Sequence, residues 1–562
     1  MYKGKKNLAP VAVRIQLTRS MTLIAQTHLP VLAASYPAPR STPVMAWNAW
    51  NTFSVNGVPL RGGRKEYESI AEAMIESGMV AAGYNLISTV CTGWTGRDPV
   101  THELQENLTA WPGGMKSFAT YLHGKGMLLS VYTDAGRLNC CGEPGSLDYE
   151  DIDTATFAAW GADAVGVDYC YALPPSVQTD YTKMADGIVK SGRNMQLEIW
   201  NLGLGDAQRW APSLSRNMTA QSAQHGAWAP HIRLTGDIGN AWSGKIGNTE
   251  ALMPTVDQIQ AISDLWSYGM GNTSGTFPNY GQMIVGVPAD HPTKGDPGLT
   301  LTEAQSHFSM WCMFPTILMA TNDVRLRDPA IERILLNNET IRINQDPWTI
   351  PAVRVAAPEG CSGEQWARSL SNGDTAALVL NRADATTVVT RLDFAALLPA
   401  NKNNAKTDAP LQYAVRDVQA NLDLGVACGH IDVTLAPHAT AFLRLSKVPG
   451  ACTPPAPARC TAPPPAPTCP TPRAVPAGFA AHAPRGFYAA AGRTSKGTQS
   501  IAACAALCSS AGSECAAFHV FFTPAQSCAV GTCYVHSAPL GTFTPNADAI
   551  LYDKATTLPT SS

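Results

Sequence analysis

The sequence predicts an α/β protein built on a (β/α)8 TIM barrel, followed by an antiparallel β-sandwich domain and a small disulfide-rich α+β module. Three observations predict this order. From residue 44 to about 350, short apolar runs alternate with segments that have apolar residues at helical spacing. About eight such units fit, which is the number in this barrel, although a doubly wound sheet is the structural alternative. Residues 352–447 then change to short β-rich runs, and cysteines cluster near the C-terminus.

The predicted barrel strands are apolar runs, several of which end in polar residues. They include LISTV at 86–90, MLLSVYTD at 127–134, AVGVDY at 164–169, MQLEIW at 195–200, HIRLTGD at 231–237 and MIVGV at 283–287. Helical patterns lie between them, in YESIAEAMIESGM, GGMKSFATYLHGKG, DIDTATFAAWG, DYTKMADGIVKSG and TVDQIQAISDLWSYGM. Several of these have Gly at or near the C-terminal end, where it favours helix termination. The alternation implies parallel strands joined by right-handed crossovers.

Composition excludes several classes of protein. The 562 residues are too many for one ordinary core, and 45% of them are hydrophobic against 15% charged, which is typical of globular domains. The formal net charge is -3, so neither a nucleic acid nor an anionic membrane surface is an expected partner. The sequence contains no apolar run long enough to span a bilayer, so the protein is not expected to be transmembrane.

The N-terminal segment and the cysteines indicate the compartment. Residues 1–40 carry basic residues and no acidic ones, and MTLIAQTHLPVLAAS at 21–35 resembles the apolar part of a secretory signal. An organelle transit peptide and a plain flexible leader are the alternatives. The 15 cysteines have no CxxC pairs with His partners, which favours disulfides over zinc. The sequence therefore predicts a secreted, vacuolar or lysosome-like protein, with at least one cysteine left over from intramolecular pairing.

Four regions follow one another along the rest of the chain. The barrel is predicted over 41–350 and the antiparallel β domain over 351–447. Residues 448–478 are rich in Pro and Ala and are predicted to form an extended tether. Residues 479–556 form the Cys-rich module, in which the four-residue spacing of Cys504 and Cys508 puts both on one face of a short helix.

Two carboxylates stand out at the ends of predicted strands. Catalytic groups of β/α barrels lie at the carboxyl ends of the strands, and the fourth strand ends at Asp168 while the sixth run ends at Asp237. Two carboxylates on non-adjacent strands can face each other across the mouth of the barrel. Glycoside hydrolysis needs this arrangement, with one carboxylate as the nucleophile and the other as the acid/base. The alternative is that each is a structural hydrogen-bond acceptor.

Several motifs occur in the order found in one enzyme family. These are MAWNAWNTF at 45–53, the segments from GYNLISTVCTGW through GMLLSVYTDAG to GADAVGVDYCY, and ATNDVRLRDPAIERILLNNETIRINQDP at 320–347. They resemble the α-galactosidase (melibiase) branch of glycoside hydrolase family 27. The resemblance implies a (β/α)8 barrel with a following β domain, and a retaining double-displacement mechanism. It implies no metal and no organic cofactor.

The resemblance also implies roles for individual residues. Asp168 corresponds to the nucleophile and Asp237 to the acid/base, with carboxyl groups about 5–5.5 Å apart in a retaining enzyme. Cys170 is expected to pair with Cys140 or Cys141. The substrate-binding positions implied for the pocket are Trp47, Tyr132, Trp200, Arg233, Cys140 and Cys170.

The sugar-reading positions depart from the family pattern. STVCTGW at 88–94 lacks the paired Asp residues, Gly166 replaces a Lys, and Gln282 replaces an Asp. The acidic position of the fifth strand corresponds to Ile199 or Glu198. Buried charged hydrogen bonds distinguish sugar hydroxyls, so glycosidase chemistry is better supported than galactose specificity. Expected substrates are oligosaccharides or glycoconjugates. The alternatives are an arabinopyranoside, an N-acetylgalactosaminide or a glucoside, or a non-catalytic carbohydrate-binding or adhesion protein.

The C-terminal module has its own resemblance. ACAALCSSAGSECAAFHVFF and the later CYVHS resemble a PAN/Apple domain, in which a short helix is bonded to a small sheet. The resemblance implies the pairs Cys508–Cys515 and Cys504–Cys533 and leaves Cys528 open. Modules of this type bind proteins or glycans; a disulfide-stabilised appendage without a ligand is the alternative.

Overall fold

The structure of the chain is a computed structural model that describes most of the residues after 41. The described residues are 42–55, 58–59, 62–172, 177–212, 231–246, 249–262, 275–292, 295–397, 411–456, 460, 479–482, 486–488, 493–500, 517–521, 530–536, 543–545 and 549–554. The predicted leader at 1–40 and most of the Pro-rich segment lie outside these ranges.

Eight parallel strands form the central sheet, as the sequence predicted. They are β1 (Met45–Asn48), β2 (Leu86–Ser88), β3 (Leu128–Asp134), β4 (Ala164–Asp168), β5 (Gln196–Trp200), β6 (His231–Arg233), β7 (Phe277–Asn279) and β8 (Leu318–Ala320). Their order in the sheet is β7-β6-β5-β4-β3-β2-β1-β8. The N–H of Met283 donates to the carbonyl of Met319 at 2.8 Å, so the residues after β7 return to β8 and close the barrel.

One strand prediction is wrong. The run MIVGV at 283–287 is not a strand, apart from a single bridge at Met283, and the seventh strand lies earlier, at Phe277–Asn279. Ile284 and Val285 are buried in a turn, and Gly286 has a φ of +79°. A short apolar run records burial and does not by itself distinguish a strand from a buried turn.

Helices cover the outside of the barrel and lead into the next domain. They are α1 (Arg64–Glu76), α2 (Gly114–Gly124), α3 (Glu150–Trp160), α4 (Val177–Lys190), α5 (Leu252–Ala261), α6 (Leu301–Met313), α7 (Pro329–Leu335) and α8 (Asn338–Asn344). Short helical turns occur at Trp50–Phe53, Met79–Ala82, Leu204–Asp206, Val324–Leu326 and Phe394–Leu397.

The helix ends follow from local sequence. Helix α6 begins after Thr300, which accepts the N–H of Glu303, while the Glu303 carboxylate accepts the N–H of Thr300 at 2.7 Å. This reciprocal capping pairs backbone N–H groups that a helix start leaves open. Helix α3 ends at Gly161, whose φ of +87° is the left-handed conformation that glycine adopts easily.

The β domain is antiparallel, as predicted. Its strands are β9 (Val353–Val355), β10 (Glu364–Ser369), β11 (Thr375–Leu380), β12 (Val388–Asp393), β13 (Gln412–Asp417), β14 (Leu422–Cys428), β15 (His430–Leu435) and β16 (Thr440–Lys447). Six form a sheet in the order β9-β10-β11-β16-β13-β14, and β12 pairs with β15 in a second sheet. Side chains that include Phe394, Tyr413 and Leu443 form a core of this domain.

The C-terminal region contains further antiparallel strands. They are β17 (Phe479–His482), β18 (Gly486–Tyr488), β19 (Arg493–Ser500), β20 (Ala517–Phe521), β21 (Val530–His536), β22 (Phe543–Pro545) and β23 (Ala549–Lys554). Five form a sheet in the order β17-β23-β20-β21-β19. The helix predicted around Cys504 and Cys508, and the disulfides predicted there, lie outside the described residues. Within the described residues, every helix is too short or too polar to cross a bilayer.

One hydrophobic core runs from the barrel into the six-stranded sheet. Trp366 of β10 is almost fully buried and meets Phe314, just after α6, at a ring-centroid distance of 5.0 Å. Asn337 donates to the carbonyl of Val418 at 2.9 Å across the same boundary. Disulfides Cys361–Cys460 and Cys428–Cys452 bond the segment after β16 to the β domain.

Candidate active site

The carboxyl ends of β3, β4 and β5 place candidate groups side by side. In the parallel register, Asp134 pairs with Asp168, and Asp168 pairs with Trp200. Residues paired in this way point to the same side of a sheet. One step lower, Tyr132, Gly166 and Glu198 are paired in the same manner. The predicted nucleophile therefore lies at the mouth, between two other strand ends.

Asp168 is half-buried and hydrogen-bonded on both oxygens. Its Oδ1 accepts the N–H of Tyr169 at 2.9 Å, and its Oδ2 accepts the hydroxyl of Tyr132 at 3.1 Å. The Cys140 Sγ also lies 3.1 Å from Oδ2. These contacts fix the orientation of the carboxylate.

The pKa of Asp168 is raised from its ordinary value of 3.8 to about 7. Burial is the largest cause, since it disfavours the charged form, and the negative charges of Asp134 and Asp237 add to it. The bonds from Tyr169 and Tyr132 oppose the shift. Asp168 is thus partly protonated in the free protein at neutral pH. The influence of Asp237 also means that the two carboxylates are near enough for their charges to interact.

Asp237 is held by the arginine four residues before it. It lies beyond the end of β6, its side chain is 54% exposed, and its Oδ1 accepts the Arg233 Nη2–H at 2.9 Å. Arg233 is almost fully buried and also donates to the carbonyls of Thr235 and Gly236. This loop presents the Asp237 carboxylate to solvent beyond the carboxyl end of β6.

Two disulfides bond the loops around Asp168. Cys170 pairs with Cys140, one of the two partners predicted, while Cys141 pairs with Cys91. The second bond was not predicted, although Cys91 is in the STVCTGW stretch. Asp134, Cys140, Asp168 and Cys170 lie close enough together to resemble a metal-ligand group. Because the two sulfurs are bonded to each other, they are not the thiolates that such a site requires.

Asp134 connects the same loops through hydrogen bonds. It is fully buried, and its oxygens accept the N–H of Gly136 at 2.6 Å and that of Cys170 at 2.8 Å. Burial raises its pKa, and these backbone bonds, with one from Tyr171, oppose the rise. Asp134 therefore joins the end of β3 to the loop that follows the candidate nucleophile.

The register of β5 shows which of Glu198 and Ile199 faces the barrel interior. Glu198 is fully buried and accepts the hydroxyl of Ser130 at 3.0 Å, and its other oxygen is 3.3 Å from His231 Nε2. Ile199 lies between Glu198 and Trp200 and faces the opposite side, because side chains alternate along a strand. Of the two residues considered for the acidic position, only Glu198 thus faces inward.

The structure does not bring Trp47 to this group of residues. Its ring is fully buried against Phe53 and Tyr67, on the side of α1, and its Nε1–H donates to the carbonyl of Asn322 at 2.9 Å. Trp50 follows the carboxyl end of β1, is half-buried, and is the tryptophan of MAWNAW on the side of the mouth. Its position just past the strand end makes Trp50 the alternative candidate for a tryptophan of the pocket.

Polar side chains line the other strands near the mouth. Asn48 donates to the Ser88 hydroxyl at 3.1 Å, and Gln282 Nε2–H donates to Asn48 Oδ1 at 3.4 Å. These positions carry neutral groups, and Asn48 and Ser88 are fully buried.

Comparison with known families gives two matches. Residues 42–346 match the family model described as Alpha galactosidase A, and residues 362–445 match the Alpha galactosidase C-terminal beta sandwich domain. Together with the barrel fold, these matches define a barrel-type glycoside hydrolase. Because the first match covers more than half of the chain, the protein belongs to the α-galactosidase (melibiase) family, glycoside hydrolase family 27. The family resemblance predicted from the sequence is thereby confirmed.

Individual relatives of the chain include named α-galactosidases. The chain is 32% identical to Alpha-galactosidase A of Cellvibrio japonicus over 378 residues, which are 66% of this chain and 84% of the relative. Alpha-galactosidase I from Mortierella vinacea superposes with a TM-score of 0.61 and 23% identity, over 72% of this chain and 97% of that one. A β-L-arabinopyranosidase from Geobacillus stearothermophilus superposes with a TM-score of 0.57 and 17% identity, over 74% and 98%. At these identities, the two structures support the fold alone.

Proposed function

We propose that the protein is a retaining exo-glycosidase that removes a terminal sugar from oligosaccharides or glycoconjugates, with Asp168 as the nucleophile and Asp237 as the acid/base. The observation that carries this is the pair of carboxylates. Asp168 ends β4 and Asp237 follows β6. The negative charge of Asp237 raises the pKa of Asp168. Family membership supports the same reaction class.

The reaction proceeds in two displacements. In the first, the Asp237 carboxyl gives its proton to the glycosidic oxygen while an Asp168 oxygen attacks the anomeric carbon. The glycosidic C–O bond breaks, the alcohol leaves, and the sugar is esterified to Asp168. In the second, the Asp237 carboxylate takes a proton from water as the water oxygen attacks the anomeric carbon. The ester C–O bond breaks, and both carboxyl groups return to their starting states.

Neighbouring residues assist each step. The Tyr132 hydroxyl, 3.1 Å from Asp168 Oδ2, stabilises the carboxylate that leaves in the second step. Arg233 orients Asp237 and offsets its negative charge after the proton is given up. The Cys140–Cys170 disulfide fixes the loop beside the nucleophile.

A terminal α-galactoside is the first substrate to test, because relatives that match this chain carry α-galactosidase names. The neutral groups at Gly166 and Gln282 favour testing other sugars beside it. An arabinopyranoside, an N-acetylgalactosaminide and a glucoside form the panel, since they differ from galactose at separate ring substituents. Carbohydrate binding without catalysis is the second candidate function.

The experiment is hydrolysis of p-nitrophenyl glycosides of these sugars by the purified protein. We expect turnover of at least one, and a loss of about 10³-fold or more in Asp168→Asn, because the covalent step is removed. Asp151→Asn changes an exposed carboxylate paired with Lys190 and serves as the control that keeps activity. Sugar binding without turnover of any glycoside would instead favour the carbohydrate-binding protein.

The regions outside the barrel complete the proposal. We infer entry into the secretory pathway from the leader and from the four disulfides of the described residues, which persist in oxidising compartments. We infer a PAN/Apple-like module at 479–556 that binds a protein or a glycan; its small antiparallel sheet supports this. Recovery of the protein in the medium after expression with its own leader tests the first inference. Lost retention on a glycan or protein array after deletion of residues 479–556 tests the second.

A further inference from the structure

Gly166 leaves a gap in one layer of side chains inside the barrel. It lies in register with Tyr132 and Glu198, and Glu198 with His231. These four positions form a row across adjacent strands, here called a layer, that lies below the row of Asp134, Asp168 and Trp200. The other three positions of the lower layer carry large side chains. The glycine contributes none.

The indole of Trp200 fills this gap from the layer above. A Cβ at position 166 would lie 2.9 Å from both Cζ2 and Cη2 of Trp200, closer than carbon atoms pack. It would also lie 3.2 Å from Glu198 Oε2. Any residue other than glycine at 166 therefore requires the indole to move.

Trp200 also borders the candidate site. Its ring is 6% exposed and lies 5.8 Å, centroid to centroid, from that of Tyr132, whose hydroxyl holds Asp168. Its Nε1–H is buried and has no hydrogen-bond partner among the described residues. An unpaired buried donor lowers stability, so the shape of the ring, and not its polar end, accounts for its place here.

The indole also separates the site from a buried carboxylate. Its outer edge and Glu198 Oε2 converge on the same small volume above Gly166. Glu198 is fully buried, with its Oε2 accepting the Ser130 hydroxyl and its Oε1 3.3 Å from His231 Nε2. Without the indole, the floor of the site would be deeper and acidic, whereas with it the floor is shallow and aromatic.

We propose that Trp200, seated over Gly166, determines sugar specificity by closing the floor of the site, so that the enzyme takes compact neutral pyranosides and discriminates against sugars with a bulky substituent on that side. This rests on the proposed function. A group the size of a methyl or hydroxymethyl changes kcat/KM by about 10–200-fold when a pocket wall excludes it. The aromatic floor also suits the apolar face of a sugar ring.

Three variants test the proposal. In Trp200→Ala, the ratio of kcat/KM for p-nitrophenyl N-acetylgalactosaminide to that for the arabinopyranoside should rise at least tenfold. Gly166→Ala should lose at least tenfold in kcat/KM and lower the Tm. The double variant Gly166→Ala, Trp200→Phe should recover most of the lost kcat/KM and most of the lost Tm. The reason is that a phenyl ring lacks the indole atoms Cζ2 and Cη2, which would clash with the alanine Cβ. Trp160→Ala, in α3 and similarly buried against Trp94, is the control that leaves the ratio unchanged.

The outcomes separate this proposal from the function on which it rests. Wild-type turnover with an unchanged ratio in Trp200→Ala would overturn the specificity role of Trp200. An absence of recovery in the double variant would overturn the contact with Gly166. Failure of the wild-type protein to hydrolyse any glycoside of the panel would overturn the proposed function itself, and with it this inference.

Discussion

The buried position of Asp168 lowers the stability of the folded protein at neutral and higher pH. Its pKa is about 7 in the folded protein and 3.8 ordinarily, so between pH 4 and 7 the folded state holds the proton more tightly. A raised carboxyl pKa lowers the free energy of unfolding as the pH rises through this window, and the full penalty is present above pH 7. Such destabilisation is common where a charged group is kept for catalysis.

Asp168→Asn should therefore be more stable than the parent protein above pH 7, by on the order of a few kcal/mol, because the neutral amide removes the penalty. The difference should vanish near pH 4, where the parent side chain is neutral in the folded state. Denaturant unfolding of both proteins at pH 4, 6 and 8 measures it. Equal stability at pH 8 would contradict the raised pKa.

The acid limb of the activity profile should also follow Asp168. Attack requires the ionised carboxylate, so kcat/KM should fall below pH 7, by about tenfold per pH unit. Asp134→Asn removes a negative charge that raises the pKa of Asp168, and should move this limb to lower pH by about half a unit to one unit. The pH dependence of kcat/KM, which reports pKa values of the free enzyme, measures the acid limb of the parent protein and its shift in the variant.

Asp153→Asn is the matched control for that shift. Asp153 is also fully buried, but it lies in α3 and pairs with Arg97 at 2.6 Å. Its loss should lower stability and leave the acid limb in place, because Asp153 is not among the charges that act on Asp168. A shift of equal size in both variants would indicate a general loosening of the fold.

At the scale of elements, disulfides near the site should affect activity and those elsewhere should not. Cys140 and Cys170 join the loops after β3 and β4, 30 residues apart, and lie beside the nucleophile. Replacing both by Ser should lower stability by about 2–4 kcal/mol and lower kcat at temperatures well below the Tm. Thermal unfolding and steady-state kinetics at 20 °C measure the two effects.

Cys428–Cys452 provides the comparison. It closes a similar span of 24 residues and bonds the end of β14 to the segment after β16, away from the site. The double Ser variant should lose similar stability with unchanged kcat, since the site is on the barrel. Loss of kcat in both variants would show that catalysis depends on global stability and not on the loop.

At the scale of the whole molecule, the barrel and the β domain share one core. Trp366 and Phe314 contact each other across the boundary and are both buried. Trp366→Ala should lower the free energy of unfolding by about 3–5 kcal/mol and lower the temperature at which barrel activity is lost, by the same shift seen in the unfolding curve. Two separate transitions in calorimetry would contradict a shared core.

Much of this arrangement was predictable from residue pattern. Strands β3 to β5 coincide within a residue with the predicted runs. A short buried apolar run that is bounded by Gly and polar residues commonly forms a strand. The seventh strand was misplaced because Ile284 and Val285 are buried in a turn, and apolar runs do not report backbone conformation. Trp47 was assigned to the pocket and packs against α1, because the side that a strand residue faces depends on register.

The sequence by itself determined the order of domains, the family, and the two carboxylates of the candidate site, because strand ends and motif order are local properties of the chain. Only the tertiary structure decided which cysteine pairs with Cys170, which side of the sheet Trp47 faces, and why position 166 is glycine. These depend on side chains 30 or more residues apart that meet across neighbouring strands and the loops that follow them. Their packing follows from three-dimensional register, which the local pattern does not contain.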